Sequence, residues 1–243
     1  MSIVWVIPCF NEAERLSLTP ITALLTEAST RILLVDDGST DDTPALLDAI
    51  VTASGDRARS LRLPHNVGKG EAVRRGLLAA LDADDTTYVG YLDADFSTPP
   101  EEAHRVARRL AASEASVAMG ARIRRLGAEI DRSVTRHYLG RLFATVASLS
   151  LALPVYDTQC GAKAFRVSPQ LRAALAAPFT SRWAFDVELL GRLLDTGLEV
   201  SDFLEVPLKT WRDVGGSKLR IAGMLRAGTD LVQLAIARRR NQK

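Results

Sequence analysis

"TYVGYLDADFSTPPEEAHRVARRLAA", residues 87–112, decides the fold class. It opens with a short apolar run closed by polar residues. It continues with apolar residues at helical spacing, behind prolines and acids that suit a helix's first turn. A strand leading directly into a helix is half of a βαβ unit, and the same order recurs on both sides. "IVWVI" (3–7) and "RILLVDD" (31–37) are apolar runs that end in polar loops, and "EAERLSLTPITALLTEA" (12–28) between them has helical spacing. "ARSLRLP" (58–64) predicts a third strand, "GKGEAVRRGLLAALDA" (68–83) a helix and "ASVAMGAR" (115–122) a fifth strand. This alternation predicts an α/β fold, a Rossmann-like and mostly parallel sheet flanked by helices, with ligands at the strands' carboxyl ends. The polar segments "PCFNEAE", "DDGSTDDT", "HNVGKGEA", "DADFSTPP" and "GARIRR" all fall at that rim and describe a binding crevice.

Past residue 128 the pattern changes. "DRSVTRHYLGRLFATVASLSLAL" (131–153) has one long helical pattern, followed by "VYDTQCGAKAFR" (155–166), a helix in "RWAFDVELLGRLLDTG" (182–197) and a strand in "VSDFLEVPLKTW" (200–211). We expect one domain over residues 1–218. Residues 219–243 are expected to form a C-terminal helical annex, amphipathic and basic, either in the same compact unit or at an interface.

The 243 residues carry a net charge of only +2, so no nucleic-acid partner is expected. Cys9 and Cys160 have neither metal-ligand spacing nor a disulfide framework, which fits a reduced cytoplasmic chain. "MSIVWVIP" lacks a charged leader, and the longest apolar run, "LFATVASLSLALP", has 13 residues where a span needs roughly 20. The expectation is a cytoplasmic protein, free or at the cytoplasmic face of the membrane.

Asp93 and Asp95 lie one residue apart. Alternation along a strand puts both carboxylates on one side and Ala94 on the other. Like charges so close are tolerated most easily around a cation. A divalent metal carrying a phosphate ligand is one reading, and a solvated loop rim the other. The glycines of "NVGKGEAVRRG" suit close approach of a phosphate or a plain structural turn, but match neither G-x-G-x-x-G nor a phosphate loop. In "VDDGSTDDT" Asp37 rather than Asp36 is expected to face the crevice. His65, His104 and His137 show no metal or dyad spacing, and no G-x-S-x-G elbow occurs.

Taken together, "VIPCFNEAERL", "LLVDDGSTDDT", "NVGKGEAVRRG", "YLDADFSTPPEE", "MGAR" and "DTQCGAKAFR" resemble, in order and spacing, the inverting family 2 glycosyltransferases with their GT-A fold. "WAFDVELL" and "GGSK" extend the resemblance to about residue 218. Within that family the chain resembles the polyprenyl-phosphate (dolichyl-phosphate) glucosyl- and mannosyltransferases, and "DTQCGAKAF" the glucosyl branch. Ser97 stands where mannosyl enzymes often have Gln, and the C-terminal membrane helices of many bacterial members are not expected here. The resemblance implies metal-dependent, inverting transfer of a hexose from a nucleotide sugar, UDP-glucose ahead of GDP-mannose, to a polyprenyl phosphate. Asp93 and Asp95 would hold Mg²⁺ or Mn²⁺, with Ala94 beside them in the donor pocket. Pro8, Asn11, Glu12 and Asp37 would hold the nucleoside, with Lys69 nearby, while Arg212, Ser217 and Lys218 would close over the diphosphate.

A phosphate acceptor arrives as an anion and needs cations rather than a base, and Arg122, Arg132 and Arg136 are the candidates. Asp157 would orient Lys163 or the metal end of the site. Alternatively Asp157 or Asp186 serves as base for a sugar hydroxyl, which is the rival acceptor class. Two other rivals are a binding module that has lost its chemistry and a nucleotide-dependent oxidoreductase. Intact acids oppose the first, and the missing glycine fingerprint opposes the second. Access to a lipid requires an apolar surface. Residues 142–153 and the C-terminal segment are offered, with Ile221, Leu225, Leu231, Leu234 and Ile236 near Arg226 and Arg238 to Arg240. Core packing or a homodimer interface is the alternative use of both.

Overall fold

The structure is a computed structural model that describes residues 1–83, 85–131, 134–181 and 184–214, the side chains of 134–137 and 139 excepted. Its strands are β1 (Ile3–Cys9), β2 (Thr30–Asp36), β3 (Ala58–Arg62), β4 (Tyr88–Leu92), β5 (Val117–Ala121), β6 (Glu129–Asp131), β7 (Ala162–Arg166), β8 (Phe203–Pro207) and β9 (Thr210–Arg212). Its helices are α1 (Leu18–Leu24), α2 (Thr43–Ser54), α3 (Lys69–Leu81), α4 (Pro100–Ala111), α5 (Val134–Leu151), α6 (Pro169–Leu175) and α7 (Phe185–Asp195). Seven strands form one sheet in the order β3-β2-β1-β4-β7-β5-β8, and β6 and β9 pair separately. All neighbours in the large sheet are parallel except β7, which runs antiparallel between β4 and β5.

Both faces of the sheet are covered, so its strands read as continuous apolar runs rather than alternating ones. Val4 and Val6 of β1 pack with Val35, Tyr91 and the α3 and α7 side chains Leu77 and Leu189 on one face. Ile3, Trp5 and Ile7 pack with Ile21, Leu47 and Val106 on the other. Each large side chain buried this way contributes roughly 1.5–3 kcal/mol. Gly76 lets α3 lie directly on the sheet, because a Cβ there would come within 2.4 Å of Val6 and 2.8 Å of Val35.

Three local expectations are corrected. The first helix starts at Leu18, not at residue 12. Residues 12–16 form a turn in which the Glu12 carbonyl accepts from the Arg15 and Leu16 N–H groups, and the Glu12 N–H donates to Thr43 Oγ1. The stretch 200–211 is not one strand: Leu208 and Lys209 separate β8 from β9, and β9 pairs with β6. Strand β4 ends at Leu92, so Asp93 to Asp95 lie beyond it. The domain boundary expected at 218 and the C-terminal helix fall outside the described residues. Among the described residues no helix is long and apolar enough to cross a membrane.

Candidate active site

The β4 chain enters a tight turn after Leu92. Phe96 takes the left-handed conformation (φ 48°), its N–H donates to the Asp93 carbonyl at 3.1 Å, and Asp95 Oδ1 accepts from the Ser97 N–H at 2.9 Å. Ala94 is buried while both aspartates are half-buried. The two carboxylates therefore share the crevice, through a turn rather than through strand alternation. The loop before β7 supports them: the Asp93 N–H donates to the Gly161 carbonyl at 3.2 Å. A Cβ on Gly161 would stand 2.3 Å from Asp93 Cγ, so only glycine admits this approach.

Lys69, the first residue of α3, places Nζ 2.6 Å from Asp93 Oδ1. Burial opposes charge on Asp93, but Lys69, with Lys163 and Arg122, outweighs it and lowers the carboxyl's pKa. Asp95 moves the other way, raised by burial and by the Asp93 charge. The Lys69 ammonium is stabilised above its usual range by Asp93, Asp186 and Asp95, against desolvation.

On the β1–β2 side, Pro8 lies in β1 opposite Val35 of β2, and Asn11 and Glu12 follow the strand. Asn11 adopts φ 52°, donates its N–H to Ser39 Oγ at 3.0 Å and accepts the Thr40 N–H at 2.8 Å. Asp36 and Asp37 are both buried. Asp36 accepts from the Ser39 N–H at 2.9 Å. Asp37 gathers the next loop, accepting from Asn66 Nδ2, Val67 N–H and Gly68 N–H at 3.0, 2.7 and 2.9 Å. That clamp sets where α3, and therefore Lys69, begins.

On the β5–β7 side the expected pairing is corrected. Asp157 does not orient Lys163. It accepts from Arg122 Nε at 2.6 Å and Nη2 at 2.8 Å, and from the Arg122 N–H at 3.1 Å. The Asp157 charge lifts the Arg122 guanidinium's pKa despite its desolvation. Lys163 is fully buried and donates to Asp186 Oδ1 at 2.6 Å and to the Cys160 carbonyl at 2.8 Å, while the Tyr91 hydroxyl donates to the same Asp186 oxygen. Sequence reading missed Tyr91 and the role of Gly161. Glycine within "DTQCG" was the available signal.

Arg212 is exposed, and its N–H donates to the Ser97 carbonyl at 3.1 Å, which brings β9 beside the aspartate turn. Arg124, Arg125 and Arg212 line an open groove there with Leu126 and Glu129. Arg132, Ser217 and Lys218 lie outside the described residues, and Arg136 is described only as backbone of α5.

The residues present fit a hard divalent ion. Among the described residues no cluster of three or more His, Cys, Asp or Glu forms a complete cage. Asp93 Oδ1 is buried, and its close partner among the described residues is the Lys69 ammonium. Two carboxylates completed by ligand phosphates and water is the coordination Mg²⁺ commonly uses.

The sequence profile of Glycosyl transferase family 2 matches residues 4–170. A dolichyl-phosphate beta-glucosyltransferase of Trichomonas vaginalis is 30% identical over 246 residues, covering 96% of this chain and 70% of that protein. A polyprenol monophosphomannose synthase of Mycolicibacterium smegmatis is 30% identical over 215 residues, covering 88% and 79%. Glucosyl-3-phosphoglycerate synthase from Mycobacterium tuberculosis, crystallised with Mn²⁺, UDP-glucose and phosphoglyceric acid, superposes with TM-score 0.68 at 20% identity, covering 98% of this chain and 79% of that one. That likeness concerns the fold.

Proposed function

The chain belongs to glycosyl transferase family 2, and we propose that it transfers a hexose, glucose ahead of mannose, from a nucleoside diphosphate to a polyprenyl phosphate with inversion. One observation carries the reading: the crevice pairs two carboxylates facing its interior with neighbouring acids that are already held by cations. Asp157 is tied to Arg122 and Asp186 to Lys163. A hydroxyl acceptor needs a carboxylate base that is not already committed to a cation, whereas an anionic acceptor does not. The names of the two relatives, both polyprenyl or dolichyl phosphate enzymes, support the same acceptor class.

Asp93 and Asp95 hold a divalent ion, Mg²⁺ or Mn²⁺, which when bound supplies positive charge to the leaving diphosphate. The chain's other residues bind and orient. Pro8, Asn11 and Glu12, with Asp37 fixing the loop opposite, wall the nucleoside, and Ala94 floors the donor pocket. Arg212, with Ser217 and Lys218, closes over the diphosphate. Arg122, Arg132 and Arg136 are assigned to the acceptor phosphate, whose repulsion from the donor their charge offsets. Because Arg122 is shared with Asp157, it acts chiefly by holding the "DTQCG" loop, leaving most of that charge to Arg132 and Arg136.

The lipid reaches the site along a surface. Tyr138, Leu142, Val146 and Leu149 of α5 are exposed, and their spacing puts them on one face of the helix. We assign this stripe to contact with the cytoplasmic membrane face, a second copy of the chain being the competing occupant. Flotation with anionic vesicles should carry the wild type upward and Leu142→Asp/Leu149→Asp much less. Absence of flotation in the wild type overturns the assignment.

The acceptor and donor are tested together by incubating radiolabelled UDP-glucose or GDP-mannose with a short polyprenyl phosphate and extracting the lipid. Label should enter the lipid, faster from UDP-glucose. Transfer to free sugar hydroxyls with none to the lipid phosphate overturns the reading.

A further inference from the structure

Two of the basic groups around the crevice floor are fixed. Arg122 meets Asp157 through two nitrogens, at 2.6 and 2.8 Å, and Lys163 is fully buried between Asp186 and the Cys160 carbonyl. Lys69 is held differently. Among the described residues it makes one ion pair, 2.6 Å from Asp93 Oδ1, its side chain is 46% exposed, and its ammonium lies 5.9 Å from the centre of the Phe185 ring. The Asp93 oxygen it covers is buried, and the ammonium is its only close partner among the described residues. A flexible monovalent cation therefore covers an oxygen that a divalent ion would need.

We propose that Lys69 is an exchangeable counter-ion, which neutralises Asp93 in the metal-free site and passes to the donor's diphosphate when a divalent ion takes its place. This rests on the metal reading of Asp93 and Asp95. Without a cation, two half-buried carboxylates one residue apart would repel each other and draw in a proton. The lysine relieves that repulsion between turnovers. An ion arriving alone must expel the ammonium into water. An ion arriving with a diphosphate brings the anion that receives it, beside the start of α3, where negative charge is also favoured. Metal and nucleotide therefore strengthen each other's binding, and the coupling is reciprocal. Lysine suits the task because it is a compact charge on a four-carbon stem, free of the two-pronged geometry that locks Arg122.

The test is calorimetric titration of the full chain with Mn²⁺, in the absence and presence of UDP, for the wild type, Lys69→Met and Lys69→Gln. Both replacements are good helix formers, so α3 is kept. Mn²⁺ alone should bind each variant roughly tenfold more tightly than the wild type, a difference of about 1.4 kcal/mol. The gain in Mn²⁺ affinity produced by UDP should shrink by a similar factor. If both variants bind Mn²⁺ alone no more tightly than the wild type and keep its UDP coupling, the exchange is overturned and the metal site stands. If the wild type with UDP binds Mn²⁺ no better than Asp93→Asn does, the metal reading fails and the exchange with it.

Discussion

Alanine at position 161 should disable the site with little damage to the fold. The new Cβ would stand 2.3 Å from both Cγ and Oδ2 of Asp93, where ordinary contact begins at 3.4 Å, so the carboxylate must retreat by about 1.1 Å. A displacement of that size in a positioned group costs on the order of 100-fold in rate, or about 2.7 kcal/mol of transition-state stabilisation. Asp93 is half-buried rather than enclosed in the core, so the stability cost should sit near the lower end of the roughly 1–3 kcal/mol typical of overpacking. Initial rates with labelled donor give the first quantity and denaturant melts the second. Adding Gly161→Ala to an Asp93→Ala background should then cost almost no stability, because the clashing partner is gone. Activity within threefold of wild type, or an equal stability loss in both backgrounds, refutes the reasoning.

Lys163→Met leaves the Asp186 carboxylate buried without its cation and should cost about 3–5 kcal/mol in denaturant melts. Lys163→Met with Asp186→Asn removes both charges, keeps an acceptor for Tyr91, and should recover at least half of that loss. Glu71 is held below the usual carboxylate range by hydrogen bonds from Arg74, joined by Arg75, against the cost of burial. A lowered folded pKa gives stability that is present above the ordinary glutamate value and lost as pH falls through the depressed one. Glu71→Gln should thus cost about 1 kcal/mol at neutral pH, with the two melting curves converging in acid. Arg132→Ala and Arg136→Ala should each raise the acceptor KM or lower kcat by about tenfold with donor binding kept. Silence in both argues against a phosphate acceptor.

The segment from β4 to α4 was readable because its two periods switch cleanly at the aspartates, and a sheet covered on both faces needs the continuous apolar runs seen in β1 and β2. Asp93 and Asp95 were found by spacing although a turn, not a strand, presents them. Alternation along a strand and a tight turn put the same two side chains in the crevice, so a reading of either kind arrives at them. Helix α1 was overextended because Asn11 and Glu12 spend their backbone donors on Ser39 and Thr43, 28 and 31 positions away, and nothing local signals that demand. The Lys163–Asp186 pair was misassigned for a topological reason. Strand β7 inserts antiparallel between β4 and β5, and that placement is invisible in an alternation of strands and helices. It carries Lys163 toward the start of α7 and leaves Asp157 to Arg122.

The central claim is that Asp93 and Asp95 hold the divalent ion on which transfer depends. It is tested most directly by following label from the donor into polyprenyl phosphate after exhaustive chelation, with Mn²⁺ then restored, in wild type, Asp93→Ala and Asp95→Ala. The wild type should lose turnover in chelator and regain it with Mn²⁺, while both variants stay inactive at every Mn²⁺ concentration and melt as folded proteins. Full activity in chelator, or wild-type turnover by either variant, would contradict it.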